Sequence, residues 1–436
     1  MKRTSLLRLF GNYDGSTVIF VAVTMLLLLA FAALAVDVGH LYVVRGELQN
    51  AADSGALAGA QVLYDDPTTD TDIPGAQVYG GADAFARTFV VQHSSENAPV
   101  LVESSERGHW RFGTPGVFTP NNSLLPYDFW NRTTAQLNED TNFINAVRVI
   151  TRRKRDINNE LPADFFGRIL GDQRAEVMAV AVGYIGFAGT LGPHAVDQPI
   201  AICRQAITVN DVYSCGVGRM LNSGQNAGHQ TAGWTNFAQP CSTASADDLG
   251  DLICHTGNPV ALNISQTVGT TNGTQTGPSY DGIRDCWQST PGLDPNGDTW
   301  PEQPWSITLA VIDCGSDVTV GNCSTLVGAV ELNVLWITRN DKNQMNEVPR
   351  KMADWPPLTG PGSELRGPTG LCAGTGLQCW DSFVAHFHLQ DVLNGSPAIY
   401  EDKTIYFLPD CTPHEPTGAT GGENFGILAK IPVLVK

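Results

Sequence analysis

The first 202 of the 436 residues contain no cysteine, and none of the ten cysteines that follow forms a C-x-x-C pair. Zinc-ribbon and thioredoxin-like readings therefore lack their ligands. Charge is scarce as well: Asp, Glu, Lys and Arg make up 16% of the chain, against the usual quarter. What there is leans acidic, 26 basic against 44 acidic side chains for a net charge of −18. Phosphate backbones repel such a surface, so nucleic acid is excluded as a general partner. The one basic run, Arg152-Arg153-Lys154-Arg155, reads as a solvated turn. No G-x-S-x-G elbow, H-E-x-x-H pair or G-x-x-x-x-G-K-[ST] loop occurs. The chain is accordingly read as non-enzymatic, with no catalytic residue, metal or cofactor assigned. Gly and Pro, at 45 and 26 residues, stay below the roughly 25–30% that marks low complexity, which excludes wholesale disorder. With 42% apolar residues a sizeable core can be buried, and the length predicts two or three domains.

Against this background one long apolar run stands out. Val18–Val36 is 19 residues without a charge, preceded by Lys2, Arg3 and Arg8. As a helix it spans about 28 Å, matching a hydrocarbon core of about 30 Å. The positive lead predicts a cytoplasmic start and export of everything after Asp37. An oxidising compartment would in turn suit scattered, even-numbered cysteines paired as disulfides, against the alternative of buried free thiols. The rival reading is a cleaved signal peptide, for which Ala33-Leu34-Ala35 offers an acceptable site. Two features oppose it: the run exceeds the usual 7–15 apolar residues, and the helical pattern continues past the cut until Pro67. A prepilin-type cut is not supported, because Ser16 and Phe20 stand five residues after Gly11 and Gly15, where Glu is required.

From Asp37 to Leu63 the pattern predicts a stem helix. Its later turns are almost wholly small: Ala51, Ala52, Ser54, Gly55, Ala56, Ala58, Gly59 and Ala60. Gly55 and Gly59 are four apart and stack on one side, with Ala52 and Ala56 beside them, so a second backbone can approach closely there. Leu41, Val44, Leu48 and Leu57 supply bulk on a neighbouring stripe. Such a face either packs against a partner helix or packs the stem onto its own domain.

The block AVDVGHLYVVRGELQNAADSGALAGA, residues 35–60, resembles the N-terminal module of TadE/TadG-like proteins of the tight-adherence (Flp) pilus assembly system of bacteria. The matching positions include Asp37, Gly39, Tyr42, Gln49 and Asp53. A weaker similarity covers NAVRVITRRKR (145–155) and LPADFFGRILGDQRAEVMAVAVGYIG (161–186). There Val147 and Val149 alternate as on a half-buried strand, Phe165, Phe166, Ile169 and Leu170 have helical spacing up to Gly171, and Val177–Ile185 reads as a strand with one small face. The resemblance implies a single-pass bacterial inner-membrane component, its bulk periplasmic and pilin-like in outline. Its implied partners are the membrane and other Tad/Flp pilus assembly proteins, with a homo-oligomer as a further option. The Asp-x-Ser-x-Ser metal site of some TadG-like proteins is missing: Asp14-Gly15-Ser16 and Asp313-Cys314-Gly315-Ser316 do not fit it.

Beyond Pro193 short apolar runs alternate with turn residues: 305–314, 329–338, 382–389, 404–409 and 426–435. They predict strands in a sandwich or mixed β architecture. This region holds 11 basic and 24 acidic residues, which gives solubility and a conceivable affinity for calcium. The fold expected is α+β: a cytoplasmic lead (1–17), transmembrane helix (18–36), stem helix (37–63), α+β exported domain (64–192) and Cys-containing β-rich exported domain (193–436). Pairing near neighbours gives Cys203–Cys215, Cys241–Cys254, Cys314–Cys323 and Cys372–Cys379, leaving Cys286–Cys411; ten cysteines allow 945 pairings, so spacing cannot choose. His386 and His388 would share one strand face, too few for zinc. Asp294, Asn296 and Asp298 have calcium-loop spacing, but Trp305 replaces the closing Glu, and a turn is expected. The tryptophans at 234, 287, 300, 305, 336, 355 and 380 are read as core fillers rather than a carbohydrate platform. His414-Glu415-Pro416 has no assigned role. A ligand- or carbohydrate-binding adhesin module is the alternative function, and an exported hydrolase is a third.

Overall fold

The computed structural model describes residues 14–68, 71–72, 77–153, 176–214, 218–222, 231–255, 257–271, 277–295, 297, 301, 303–316, 320–338, 376–391, 395–410, 414 and 418–436. Its helices are Asp14–Gln61 (α1), Ala82–Val90 (α2), Thr134–Glu139 (α3), Ala246–Gly250 (α4), Gly277–Ser289 (α5) and Gly376–His386 (α6). One sheet contains Val102–Arg111 (β1), Val117–Pro120 (β2), Ala146–Arg153 (β3) and Val177–Tyr184 (β4). A second contains Ile200–Cys203 (β5), Arg219–Asn222 (β6), Ala232–Thr235 (β7), Thr267–Thr271 (β8), Trp305–Asp313 (β9), Cys323–Ile337 (β10) and Thr404–Pro409 (β11). Val433–Leu434 (β12) returns to the first sheet.

The 48 residues of α1 form one unbroken helix, about 72 Å long. Its first half is uncovered by the other described residues: every large apolar side chain from Val18 to Val36 is exposed. Burial then enters as a stripe at Asp37, His40, Leu41, Val44, Leu48, Ala51, Ala52, Gly55, Ala56 and Gly59, in the three- and four-residue steps that mark one helix face.

That stripe lies on β3 and β4, with α2 alongside. The inward residues of β3 meet it in turn. Val147 faces Gly59, Val149 faces Gly55, and Thr151 donates its hydroxyl to the Leu48 carbonyl at 3.0 Å. Two strand residues advance about 6.7 Å and four helix residues about 6.0 Å, so the two repeats stay in step over several turns. On β4 the inward side chains taper through Val177, Ala179, Ala181 and Gly183. A Cβ on Gly183 would run into the Ala56 carbonyl, so the helix comes closest at its C-terminal end. The outward face of the sheet is polar at one end, where Arg152 pairs with Glu103 at 2.9 Å and Arg148 pairs with Glu106 across the β1–β3 ladder, and apolar at the other, where Trp110, Ala146 and Val182 cluster. This first sheet, ordered β12-β4-β3-β1-β2, is antiparallel throughout.

The second sheet closes on itself. β10 pairs with β8 through Cys323–Thr325 and with β9 over most of its length, while β8, β7, β5 and β9 are linked in series. The result is a five-stranded ring with one parallel pair, β5 and β9. Alternate residues, Ala201 and Cys203, Val268, Ala310 and Ile312, Leu326 and Ala329, gather in one apolar cluster with Phe237 and Val320. Their strand neighbours Ile200, Ile202, Leu309, Val311, Val330 and Leu332 join the main core, which also takes in the α1 stripe. β11 and β6 extend the sheet from the far half of β10. Among the described residues three disulfides staple the region: Cys203–Cys314 joins the ends of β5 and β9, Cys241–Cys323 ties the loop after β7 to the start of β10, and Cys254–Cys286 ties the α4 loop to α5.

The strands expected at 145–155, 177–185, 305–314, 329–338 and 404–409 are present as β3, β4, β9, β10 and β11. Several expectations are corrected. The run 382–389 falls largely on α6, so His386 ends a helix and His388 follows it with φ of 50° rather than sharing a strand face. In 426–435 only Val433–Leu434 forms a ladder, and it pairs with β4. Arg152 and Arg153 are strand residues, and Arg153 is 2% exposed, not a solvated turn; Lys154 and Arg155 lie outside the described residues, as does 161–171 with its phenylalanines. The guessed pairs Cys203–Cys215, Cys241–Cys254, Cys314–Cys323 and Cys286–Cys411 are replaced by the three bonds above, because strand neighbours in space are distant in sequence, 111 residues apart for Cys203 and Cys314. Cys215, Cys372 and Cys411, and the Cys379 side chain, lie outside the described residues. Asp294 accepts the Gly297 N–H at 2.8 Å, the expected turn. Trp234, Trp287, Trp305, Trp336 and Trp380 are all buried, while Trp300 and Trp355 lie outside the described residues.

Two outcomes follow. Alanine is the better helix former by about 1 kcal/mol, yet Gly59→Ala is expected to lower stability, since its Cβ would sit 2.9 Å from both Ala86 and Val147; Gly59→Leu should cost more than the ~1–3 kcal/mol typical of overpacking. Thermal melting in detergent, with Gly46→Ala as the unobstructed control, measures this. Non-reducing peptide mapping should recover Cys203–Cys314, Cys241–Cys323 and Cys254–Cys286, and Cys203→Ser should lower stability by about 2–5 kcal/mol.

Candidate functional site on the stem helix

Opposite its buried stripe, α1 carries a face that none of the described residues covers. Gly39, Tyr42, Val43, Gly46 and Asn50 fall within about 100° of arc when plotted at 3.6 residues per turn. Tyr42 is 70% and Val43 58% exposed, and a Cβ at Gly39 or Gly46 would have nothing within 4 Å. The two glycines open notches on either side of the tyrosine ring, next to the exposed apolar half of the helix.

The residues expected to matter thus divide by face. Gly39 and Tyr42 point outward. Asp37 is half-buried at the start of the inner stripe. Gln49 and Asp53 serve the joint: the Gln49 amide donates to Asp53 Oδ1 at 2.7 Å and to the Val180 carbonyl of β4 at 3.2 Å. Ala52, Gly55, Ala56 and Gly59 are buried against α2, β3 and β4. The small face expected to meet a partner helix is therefore consumed within the chain, which is the second of the two alternatives.

A polar latch not legible in the sequence fixes where the stem leaves the body. Ser94–Ser95 and Ala98–Pro99 pair as a tight hairpin with Glu96 and Asn97 at its tip. Both tip residues have positive φ, 50° and 61°, as a primed two-residue turn requires. For Glu96, a residue that does not favour that conformation, this costs about 1–2 kcal/mol. The turn aims the Glu96 carboxylate at the stem, 2.6 Å from His40 Nε2, while its backbone N–H donates to Glu47 Oε2 at 3.3 Å. Buried Arg153 stands behind it, 3.9 Å from Glu96 Oε2, and donates to the Ser95 carbonyl. Only the fold brings residues 40, 47, 96 and 153 together.

Elsewhere a second apolar joint is pinned by polar groups. Asp140 accepts from Tyr127 at 2.7 Å and pairs with Arg132 at 2.9 Å. Burial opposes its charge, but hydrogen bonds from Asn142 and Tyr127 and the Arg132 guanidinium hold its carboxyl below the usual range. Asn424, on the segment returning from the ring, donates to the carbonyls of Phe129 and Arg132 at 2.8 and 3.0 Å.

Residues 15–62 match the model of the TadE/G-like Flp pilus-assembly family, and residues 58–182 match that of the Tad-like Flp pilus-assembly family. Over 15–182 the chain is thus similar to Tad-type Flp pilus-assembly proteins. The two matches meet within the small-residue turns of α1 and together span the stem, α2 and the sheet up to β4. No curated protein and no solved structure matches the chain. The Tad-like segment supports a pilus-assembly role, and α1 is a helix long and apolar enough to cross a membrane. The ring and its disulfides lie beyond both matches.

Removing the latch should free the exposed part of the stem. Glu96→Ala is expected to speed amide hydrogen exchange across residues 37–47 while leaving β3 and β4 protected; unchanged exchange in the stem would show that the apolar stripe alone holds it.

Proposed function

We propose that this protein is a membrane-anchored, non-enzymatic component of a Tad/Flp pilus assembly system. In this reading Val18–Val36 is retained in the bacterial inner membrane as a single pass with its N-terminal side cytoplasmic, and the rest of the chain is periplasmic. The observation that carries it is the continuity of α1: one helix runs from an apolar, uncovered half directly into a Tad-like body, with the Gly39/Tyr42/Val43/Gly46 face left open where the two halves meet. Three disulfides support an oxidising compartment. The positive lead-in supports the orientation. Residues 64–192 and 193–436 act as the two exported units, the second grafted onto the first.

The open face is the surface proposed to meet the helices of other pilus components, or of a second copy of this chain. Small residues let helix backbones approach within a membrane or at its edge. Gly46→Leu fills the notch without touching the body. It is expected to reduce co-purification of pilus components at least tenfold with an unchanged melting temperature; full recovery of those components would exclude this face.

Ligand binding by the C-terminal unit is the second reading. It has in its favour a cavity of about 670 Å³ between α6 and residues 389–390 and 395–400, lined by Trp380, Tyr400, Asp381, His388 and Gln390.

A further inference from the structure

Glu331, Asp410 and His414 are far apart in sequence except for the last two, yet each offers a ligand atom within 4.8 Å of the others. The fold explains this. Glu331 lies on β10 and Asp410 directly follows β11, its ladder neighbour, so that the Asp410 N–H donates to the Glu331 carbonyl at 3.2 Å. His414 is set over them by a bridge to Ile427 on the returning segment. The three side chains are only 16–24% exposed.

The histidine has two distinct sides. Its Nδ1 is 2.5 Å from Glu331 Oε2, which makes Nδ1 the protonated nitrogen donating to the carboxylate. Nε2 then presents its lone pair, and that atom is buried without a hydrogen-bond partner among the described residues. Asp410 Oδ2 stands 4.0 Å from it, too far for a hydrogen bond. Two bonds of about 2.1 Å at a tetrahedral angle would set a separation of about 3.4 Å, a small swing of the carboxylate away. A carboxylate that holds a histidine by one nitrogen and leaves the other for a metal is the usual outer shell of metal-binding histidines. Tyr213 donates its hydroxyl to the Asp410 carbonyl, and Asp197 accepts the N–H of Thr308, the β9 residue opposite Glu331, at 2.5 Å.

We propose that His414 Nε2 and Asp410 bind a divalent first-row transition metal, with Glu331 holding the imidazole and water completing the shell. Mixed nitrogen and oxygen ligation favours such a cation over calcium or magnesium, which take oxygen alone. The ion would clamp β10 and β11 to the segment that returns to β12, and so tie the ring to the stem-bearing body. The site does not depend on the pilus-assembly reading.

The test is titration of the metal-stripped full chain in detergent with zinc chloride against a chromophoric chelator. Wild type is expected to take up one saturable equivalent more than His414→Ala or Asp410→Asn, with the modest affinity that two protein ligands supply, and zinc should raise the melting temperature of wild type but not of those two variants. Glu331→Gln should keep that equivalent but bind it about 10–100-fold more weakly. Should His414→Ala fail to fold, Asp410→Asn decides. Equal uptake by wild type and variants, no saturable equivalent in wild type, or displacement by equimolar calcium would each overturn the proposal.

Discussion

The contact between the second half of α1 and the strands β3 and β4 governs the rest of the molecule. A helix can lie this close to a sheet only if neither surface carries bulk along the line of contact. Gly55 and Gly59 remove it from the helix, and Gly183, Ala181 and Ala179 remove it from β4. The contact is short because it is made of small groups, and close packing of many small groups recovers the dispersion that large side chains would supply. It is also intolerant, since any added carbon meets backbone or a packed side chain. Polar bonds at Thr151 and Gln49 then fix the helix along the strand direction, which apolar contact alone would leave free to slide.

The direction of the exposed half of α1 follows from that joint. No break interrupts the helix between Val18 and Gln61, so the angle at which the apolar segment leaves the body is set by the taper of β4 and the Glu96 hairpin. A rigid rod transmits that angle. If the rod is held in lipid, the body can take only a restricted set of orientations above the membrane, and the open face of residues 39–46 is carried at a constant place relative to the sheet. Rigidity is what makes an unoccupied helix face useful to a partner.

Local signals in the sequence reached as far as periodicity reaches. The alternation of Val147 and Val149 and the small run at 177–183 read directly as half-buried strands, and β11 was bounded to the residue. The small turns of the stem were visible too, but a stripe of glycine and alanine states only that something approaches closely, not what. Its partners, α2, β3 and β4, come from about 20 to 130 residues away. The 382–389 run misled because Phe383, Val384, Phe387 and Leu389 suit either period, and the helix wins once Trp380 packs with Phe383 beneath Tyr400 and Tyr406. Cysteine spacing failed for a similar reason. In a closed ring the strands that touch are not those that follow one another, so the short loops between cysteines say nothing of their pairing.

Topology also bears on how the two units relate. Were the disulfide-bearing ring a separate domain on a tether, the chain would leave the first sheet once and not return. Instead β12 pairs with β4 from residues near 434, Asn424 reaches the carbonyls of Phe129 and Arg132, and the outer side chains of β5, β9 and β10 share one core with the stem stripe. Both ends of the ring segment are therefore anchored in the Tad-like body, and an insertion held at two points resists rotation far better than an appendage held at one. A pull or a twist applied to the ring reaches the stem through two covalent connections and a continuous apolar core. Cross-linking Cys203 to Cys314 and Cys241 to Cys323 confines deformation within the ring itself, so such a load would be passed on to the joint under α1 rather than absorbed by opening the strands.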